Sequence, residues 1–180
     1  RNGAALTVED LAAADGTPQL GEAMRLRASV HEAGHAVAAL AGGNLDEVAL
    51  SVQASGGLSV ISLDAASFSQ TESDFEGFLL LALAGRAAEA VMLGEVSAGA
   101  AGDLAEATRC AALMEARLGF SSEFPLVSLG PDGEVDVARM PWLLRPIQGR
   151  LDRSYERAMD LMRTERHALE RIAEAMFRSG

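Results

Sequence analysis

Residues 30–37 read Val30-His31-Glu32-Ala33-Gly34-His35-Ala36-Val37. The two histidines stand four positions apart, about 400° of helical rotation, so on a helix both imidazoles leave one face a turn apart and can grip one ion. Glu32 stands on the adjacent flank, where a carboxylate can reach a water beside such an ion without ligating it. The surrounding residues supply the helix. Met24, Val30, Val37 and Leu40 recur among small residues from about 24 to 41, and Gly42-Gly43-Asn44 ends the run. Two of the chain's three histidines fall inside this motif, and imidazoles on an Ala/Val face are costly to bury without partners.

Working outward, Val48, Leu50 and Val52, then Leu58, Val60 and Leu63, alternate around Ala54-Ser55-Gly56-Gly57, which predicts a β-hairpin. Thr71 with Asp74 three residues on reads as a capping box, and the apolar residues behind it run to Leu93 before Gly94, a second long helix. After a small-residue loop, Asp103 opens a third helix carrying Leu104, Ala107, Ala111, Met114 and Leu118, closed by Gly119. Residues 120–141, with Pro125, Gly130-Pro131, Asp132-Gly133 and Pro141, read as a long loop with room for short strands. From Trp142 onward, Leu151, Tyr155, Ala158, Met162, Leu169, Ile172 and Met176 form the stripe of an amphipathic helix or a broken pair. Upstream lie a short helical candidate at 8–14 and the turn Asp15-Gly16-Thr17-Pro18. Residues 1–22 read as a linker and 23–180 as one domain, mainly α with a small β-hairpin and C-terminal helices.

Composition agrees with one helical domain. The 180 residues suffice for one sizeable core, and 34 are alanine, the strongest helix former. Fifteen basic against 26 acidic residues leave a formal charge of −11, which disfavours nucleic acid and anionic membrane surfaces as partners. A single cysteine, Cys110, excludes an intramolecular disulfide and fits a reducing, cytoplasmic setting. The apolar stretch at 78–84 is closed by Arg86, far short of the roughly 20 residues that cross a bilayer. The chain opens Arg-Asn-Gly without Met and reads as a piece of something longer, whose parent has room for a membrane anchor.

A catalytic zinc takes three protein ligands and keeps one position for water, so a third must join His31 and His35. The candidates are Glu89, Asp103, Cys110 and His167. Asp103 follows Gly99-Ala100-Ala101-Gly102, a small-residue loop that permits close approach, but an aspartate that merely complements the helix dipole reads the same way. Cys110 shares its face seven residues on and fits an apolar core equally well. His167 reads as a surface residue.

The string LAGRAAEAVMLGEVSAGAAGDLAEAT at 83–108, taken with His31-Glu32-Ala33-Gly34-His35, resembles the peptidase domain of FtsH-type ATP-dependent zinc metalloproteases. The resemblance covers nearly the whole chain: residues 6–14 resemble the close of an AAA+ lid, and Tyr155-Glu156-Arg157-Ala158 onward the family's C-terminal helices. It implies a helical zincin-like fold, one zinc ion per chain with Asp103 as third ligand, and Glu89 as a carboxylate just behind the ligands. It implies hydrolysis of peptide bonds in unfolded polypeptides, with Glu32 as the catalytic base. It also implies a hexameric ring beneath an AAA+ ATPase module. The strand Leu58-Ser59-Val60-Ile61 is the expected edge on which an extended substrate is held.

The departures are specific. Gln53-Ala54-Ser55-Gly56-Gly57 stands where the family has a Pro-Arg-Gly-like turn, and residues 120–150 match loosely. No Gly-x-x-x-x-Gly-Lys-Ser/Thr occurs in a chain without lysine, so ATP enters only through an AAA+ module outside these residues. Two other readings stand beside this one: a catalytically silent ring-forming or adaptor module, and a free-standing metallopeptidase with a glutamate such as Glu89 as third ligand.

Overall fold

The computed structural model describes residues 21–42, 48–49, 60–61, 71–129 and 135–179. Five α-helices dominate: α1 (Glu22–Gly42), α2 (Glu72–Leu93), α3 (Ala101–Ala116), α4 (Leu144–Thr164) and α5 (Arg166–Ser179). The mainly α architecture expected from composition is what the chain adopts. Two short strands, β1 (Val48–Ala49) and β2 (Val60–Ile61), pair antiparallel with Val48 opposite Ile61 and Ala49 opposite Val60. The rest of the expected hairpin, including Leu58 and Ser59, lies outside the described residues, as do the segment 8–14 and the turn at 15–18.

The helix ends follow their local chemistry. Thr71 caps α2 by accepting the Asp74 backbone N–H at 3.4 Å while its own N–H donates to Asp74 Oδ2 at 2.9 Å, the reciprocal box read from the sequence. Gly94 ends α2 with φ 74°, a left-handed conformation that costs glycine little. One boundary differs from expectation. The third helix starts at Ala101, after a 3-10 turn at Ala98–Ala100, so Asp103 lies inside its first turn rather than opening it. Of the two readings of the C-terminal stripe the broken pair is the one adopted, with the break at Glu165, a position that neither proline nor glycine marks. In the long loop, the described residues form turns and no strand.

Helix α2 is the hub: α1, α3 and α4 pack on it, and α5 packs on α1. One apolar cluster joins Val30, Ala33 and Val37 of α1 to Ala84, Ala87 and Ala88 of α2, with Met162 of α4 and Leu169 of α5 closing it. A second joins Leu79 and Leu83 of α2 to Ala111 and Met114 of α3 and to Ile147 of α4. Alanine is the commonest residue in both, and small side chains let helix backbones approach closely. At Gly34 the approach is tightest, for a Cβ there would stand 2.6 Å from both the Ala84 carbonyl oxygen and the Ala88 Cβ. This crossing lays the histidine face of α1 against α2. At the open end of α1, Arg25 donates to the Phe177 carbonyl at 2.9 Å and stands 5.1 Å over that ring's centroid, tying α1 to the end of α5.

Arg150 of α4 locks the opposite side. Its Nε donates to Glu115 Oε1 of α3 at 2.6 Å, Nη1 to Glu72 Oε1 of α2 at 2.8 Å, and Nη2 to the Phe120 carbonyl. Arg150 and Glu115 side chains are each 5% exposed, whereas Glu72 is 48% exposed and its share is largely screened. Arg150→Ala strands a buried Glu115 carboxylate and is expected to cost about 3–5 kcal/mol in urea unfolding. Arg150→Met combined with Glu115→Leu is expected to recover most of that loss, since no charge is then left unpaired. A single substitution costing under about 1 kcal/mol would contradict the assignment.

Candidate metal centre

His31 and His35 lie in the middle of α1 at 9% and 5% exposure, with their rings 4.9 Å apart between centroids. Each ring is oriented by an oxygen. The Nδ1 of His35 lies 2.9 Å from the Leu81 carbonyl oxygen, which can only accept, so that nitrogen carries the proton. The Nδ1 of His31 lies 2.9 Å from Glu89 Oε1, and a carboxylate imposes the same tautomer. In the neutral form of each ring this leaves Nε2 with a lone pair, and the two Nε2 atoms face each other at 3.1 Å.

Asp103 completes the convergence. Its Oδ2 lies 3.0 Å from His31 Nε2 and 3.6 Å from His35 Nε2, brought there by the first turn of α3. Two lone pairs and an anionic oxygen pointing at one another repel unless a cation sits among them. Ligands at zinc's usual 2.0–2.1 Å in tetrahedral array stand roughly 3.3 Å from each other, and the three observed separations bracket that value. Two imidazoles and a carboxylate are also the donor types zinc accepts, with a fourth position left for water. The residues fit the ion.

The local field favours positive charge. Burial works against ionised His31, but the ionised ring donates from Nε2 to Asp103 and from Nδ1 to Glu89, and these bonds outweigh burial and raise its pKa above the usual imidazole value. Burial likewise opposes the charged carboxylate of Asp103, yet hydrogen bonds with His31 and His35 prevail and hold it well below the ordinary range. For Glu89, Arg27, His31 and Ser97 together overcome burial and lower the pKa. An environment that draws a proton onto an imidazole draws a metal cation by the same potential.

Glu32 is 4% exposed, and its Oε2 is buried without a hydrogen-bond partner among the described residues. An unpaired carboxylate oxygen is costly to bury, and this one belongs to the residue next to His31.

The structure thus brings His31, His35 and Asp103 together, with Glu89 behind His31. Two other candidates stay away. Cys110 is a free thiol in the second apolar cluster, pushed up to about 11 by burial, which makes it a poor thiolate ligand. His167 is exposed on α5. Of the expected substrate edge, Val60 and Ile61 form β2, and Leu58 and Ser59 are outside the described residues.

Reading the sequence missed three contributors. Gly85 gives His31 its room, for a Cβ there would stand 2.5 Å from the ring's Nε2. Leu81 supplies a carbonyl, invisible to any residue-type search. Arg27, one turn before His31, reaches Glu89 at 2.8 Å. Its position on the same helical face was the available signal.

A helix carrying His-Glu-x-x-His, with a further carboxylate from a separate helix, is the pattern of the helical zinc metallopeptidases. The chain belongs to peptidase family M41, whose family model matches residues 19–179, and is an FtsH-type peptidase domain. It is similar to the ATP-dependent zinc metalloprotease FtsH 1 of Symbiobacterium thermophilum, 38% identical over 159 residues, covering 84% of this chain and 26% of that protein. The ATP-dependent zinc metalloprotease FtsH of Thermobaculum terrenum is 31% identical over 180 residues, covering 88% and 27%. FtsH 1 of Sorangium cellulosum is 32% identical over 169 residues, covering 84% and 27%. The chain spans about a quarter of the length of these relatives. Among the described residues, no helix is long and apolar enough to cross a membrane.

Proposed function

We propose that residues 23–180 are a zinc-dependent endopeptidase domain, preceded by a linker at 1–22, in which His31, His35 and Asp103 hold the metal. The observation that carries this reading is the meeting of two oriented imidazole lone pairs and one carboxylate oxygen at 3.0, 3.1 and 3.6 Å. When bound, zinc supplies a Lewis acid that brings the pKa of water toward about 7 and polarises a peptide carbonyl.

The remaining chemistry belongs to the chain. Glu32 Oε2, without a hydrogen-bond partner among the described residues, accepts the proton of the attacking water and returns it to the leaving amine. Glu89 holds the His31 tautomer, and the Leu81 carbonyl holds that of His35, so both rings keep Nε2 for the metal. Substrate in extended form adds to the β2 edge around residues 58–61 through backbone hydrogen bonds, a mode with low side-chain selectivity that suits unfolded polypeptides.

The named activity of the relatives includes dependence on ATP, and this chain covers about a quarter of each. We therefore assign ATP use to an AAA+ ATPase module outside these residues, with the peptidase domains arranged as a ring, a hexamer, in a cytoplasmic compartment. The formal charge of −11 gives nucleic acid no part in this.

Asp103→Ala is expected to leave the purified protein nearly free of zinc in the presence of a moderate chelator. Glu89→Gln is expected to retain zinc with affinity reduced about 10–100-fold, as befits a residue that orients a ligand. Zinc content by elemental analysis, before and after chelation, decides. Undiminished zinc in Asp103→Ala would remove Asp103 from the ligand set and reopen the glutamate alternative.

A further inference from the structure

Glu89 is 1% exposed, and its carboxylate is held by four contacts from three residues, two of them on α1. Oε1 faces His31 Nδ1 at 2.9 Å and accepts the Ser97 hydroxyl at 3.1 Å. Oε2 accepts the Ser97 backbone N–H at 2.8 Å and Arg27 Nη1 at 2.8 Å. The same guanidinium continues to the connection between α2 and α3, with Nη2 2.5 Å from Glu95 Oε1 and Nη1 3.3 Å from the Glu95 carbonyl. Ser97 in turn accepts the Gly99 N–H at 3.1 Å and caps the 3-10 turn at Ala98–Ala100 that runs into α3 and Asp103.

We propose that Arg27 is a positioning residue of the metal centre, fixing Glu89 against His31 while fastening the connection that delivers Asp103. The inference rests on the zinc-site reading above. The geometry explains why an arginine suits this place. Its planar fork reaches two residues, Glu89 and Glu95, in fixed directions, whereas a lysine ammonium is a single point of charge. Without the guanidinium, Glu89 loses its permanent cation and one of the two donors that stop Oε2 from turning. The carboxylate can then rotate off Nδ1, and the His31 ring is no longer held to the tautomer that presents Nε2. The connection at 94–97 loses its anchor to α1 in the same step, and Asp103 follows it. An ordinary ion pair on the protein surface, by contrast, ties two helices together without reference to any ligand. Arg27 is 25% exposed at its side chain, so it can be replaced without opening the apolar core.

The test measures zinc affinity of the metal-free protein by competition with a chromogenic chelator, for the parent, Arg27→Met, Arg27→Lys and Ser97→Ala. Thermal midpoints are recorded for the same proteins without metal. Arg27→Met is expected to bind zinc about 10–100-fold more weakly, with Arg27→Lys between it and the parent and Ser97→Ala also weakened. The metal-free midpoint of Arg27→Met is expected to fall, since the buried Glu89 carboxylate loses its cation, so affinity is the deciding readout: a purely structural pair would lower the midpoint and leave the affinity alone. Arg27→Met binding zinc within twofold of the parent overturns the inference and leaves the metal site standing. A parent that binds no zinc overturns the site and the inference with it.

Discussion

Glu32→Gln is expected to keep its zinc and its fold while peptide-bond hydrolysis falls by about 10²–10⁴-fold. The size follows from what the substitution removes. Glutamine has the same shape as glutamate but cannot take a proton from water, so the base is lost and nothing else changes in outline. Among the described residues, Oε2 has no hydrogen-bond partner to lose. Casein or a fluorogenic peptide reports hydrolysis, and elemental analysis of the same sample reports zinc. Activity above about a tenth of the parent, with zinc retained, would take the base away from Glu32. A variant without zinc would place Glu32 among the ligands instead.

Gly85→Ala, a change of one methyl group, is expected to abolish zinc binding under the same chelator. Its Cβ would stand 2.5, 2.6 and 2.7 Å from Nε2, Cε1 and Cδ2 of His31. The ring has no free direction in which to yield, being held by Glu89 on one side and facing Asp103 and His35 on the other. Relief requires that Nε2 leave the donor triangle or that α2 move off α1, and either breaks the site. Overpacking of this kind costs about 1–3 kcal/mol of stability as well. Gly77→Ala on the same helix is the control, for nothing stands within 4 Å of its Cβ. That substitution is expected to stabilise by about 0.5–1 kcal/mol through helix propensity, with zinc binding unchanged. Normal zinc affinity in Gly85→Ala would show that the ring tolerates displacement.

What the sequence made legible was local. Thr71 with Asp74, Gly94 after α2 and Gly119 after α3 announce helix ends through side-chain oxygens and positive φ, both properties of a few adjacent residues. The histidine spacing is legible for the same reason, since one helical turn decides which face both rings share. The start of α3 was misplaced because the polar Asp103 resembles a cap. Its carboxylate instead turns toward two imidazoles from another helix, and only a tertiary crossing reveals that. The break at Glu165 had no glycine or proline to mark it. Gly85 reads as one more small residue in an alanine-rich helix until His31 is placed against it. Arg27 reads as a solvated charge until α2 supplies Glu89. Spacing alone left four candidates for the third donor. Distance separates them, and distance is a property of the packed chain.

The donors come from α1 and α3, two helices that make their principal contacts with α2 rather than with each other. None of His31, His35, Asp103 or Glu89 belongs to either apolar cluster. Apolar packing and the donor set are thus carried by different side chains of the same helices, so that a substitution in one can leave the other standing.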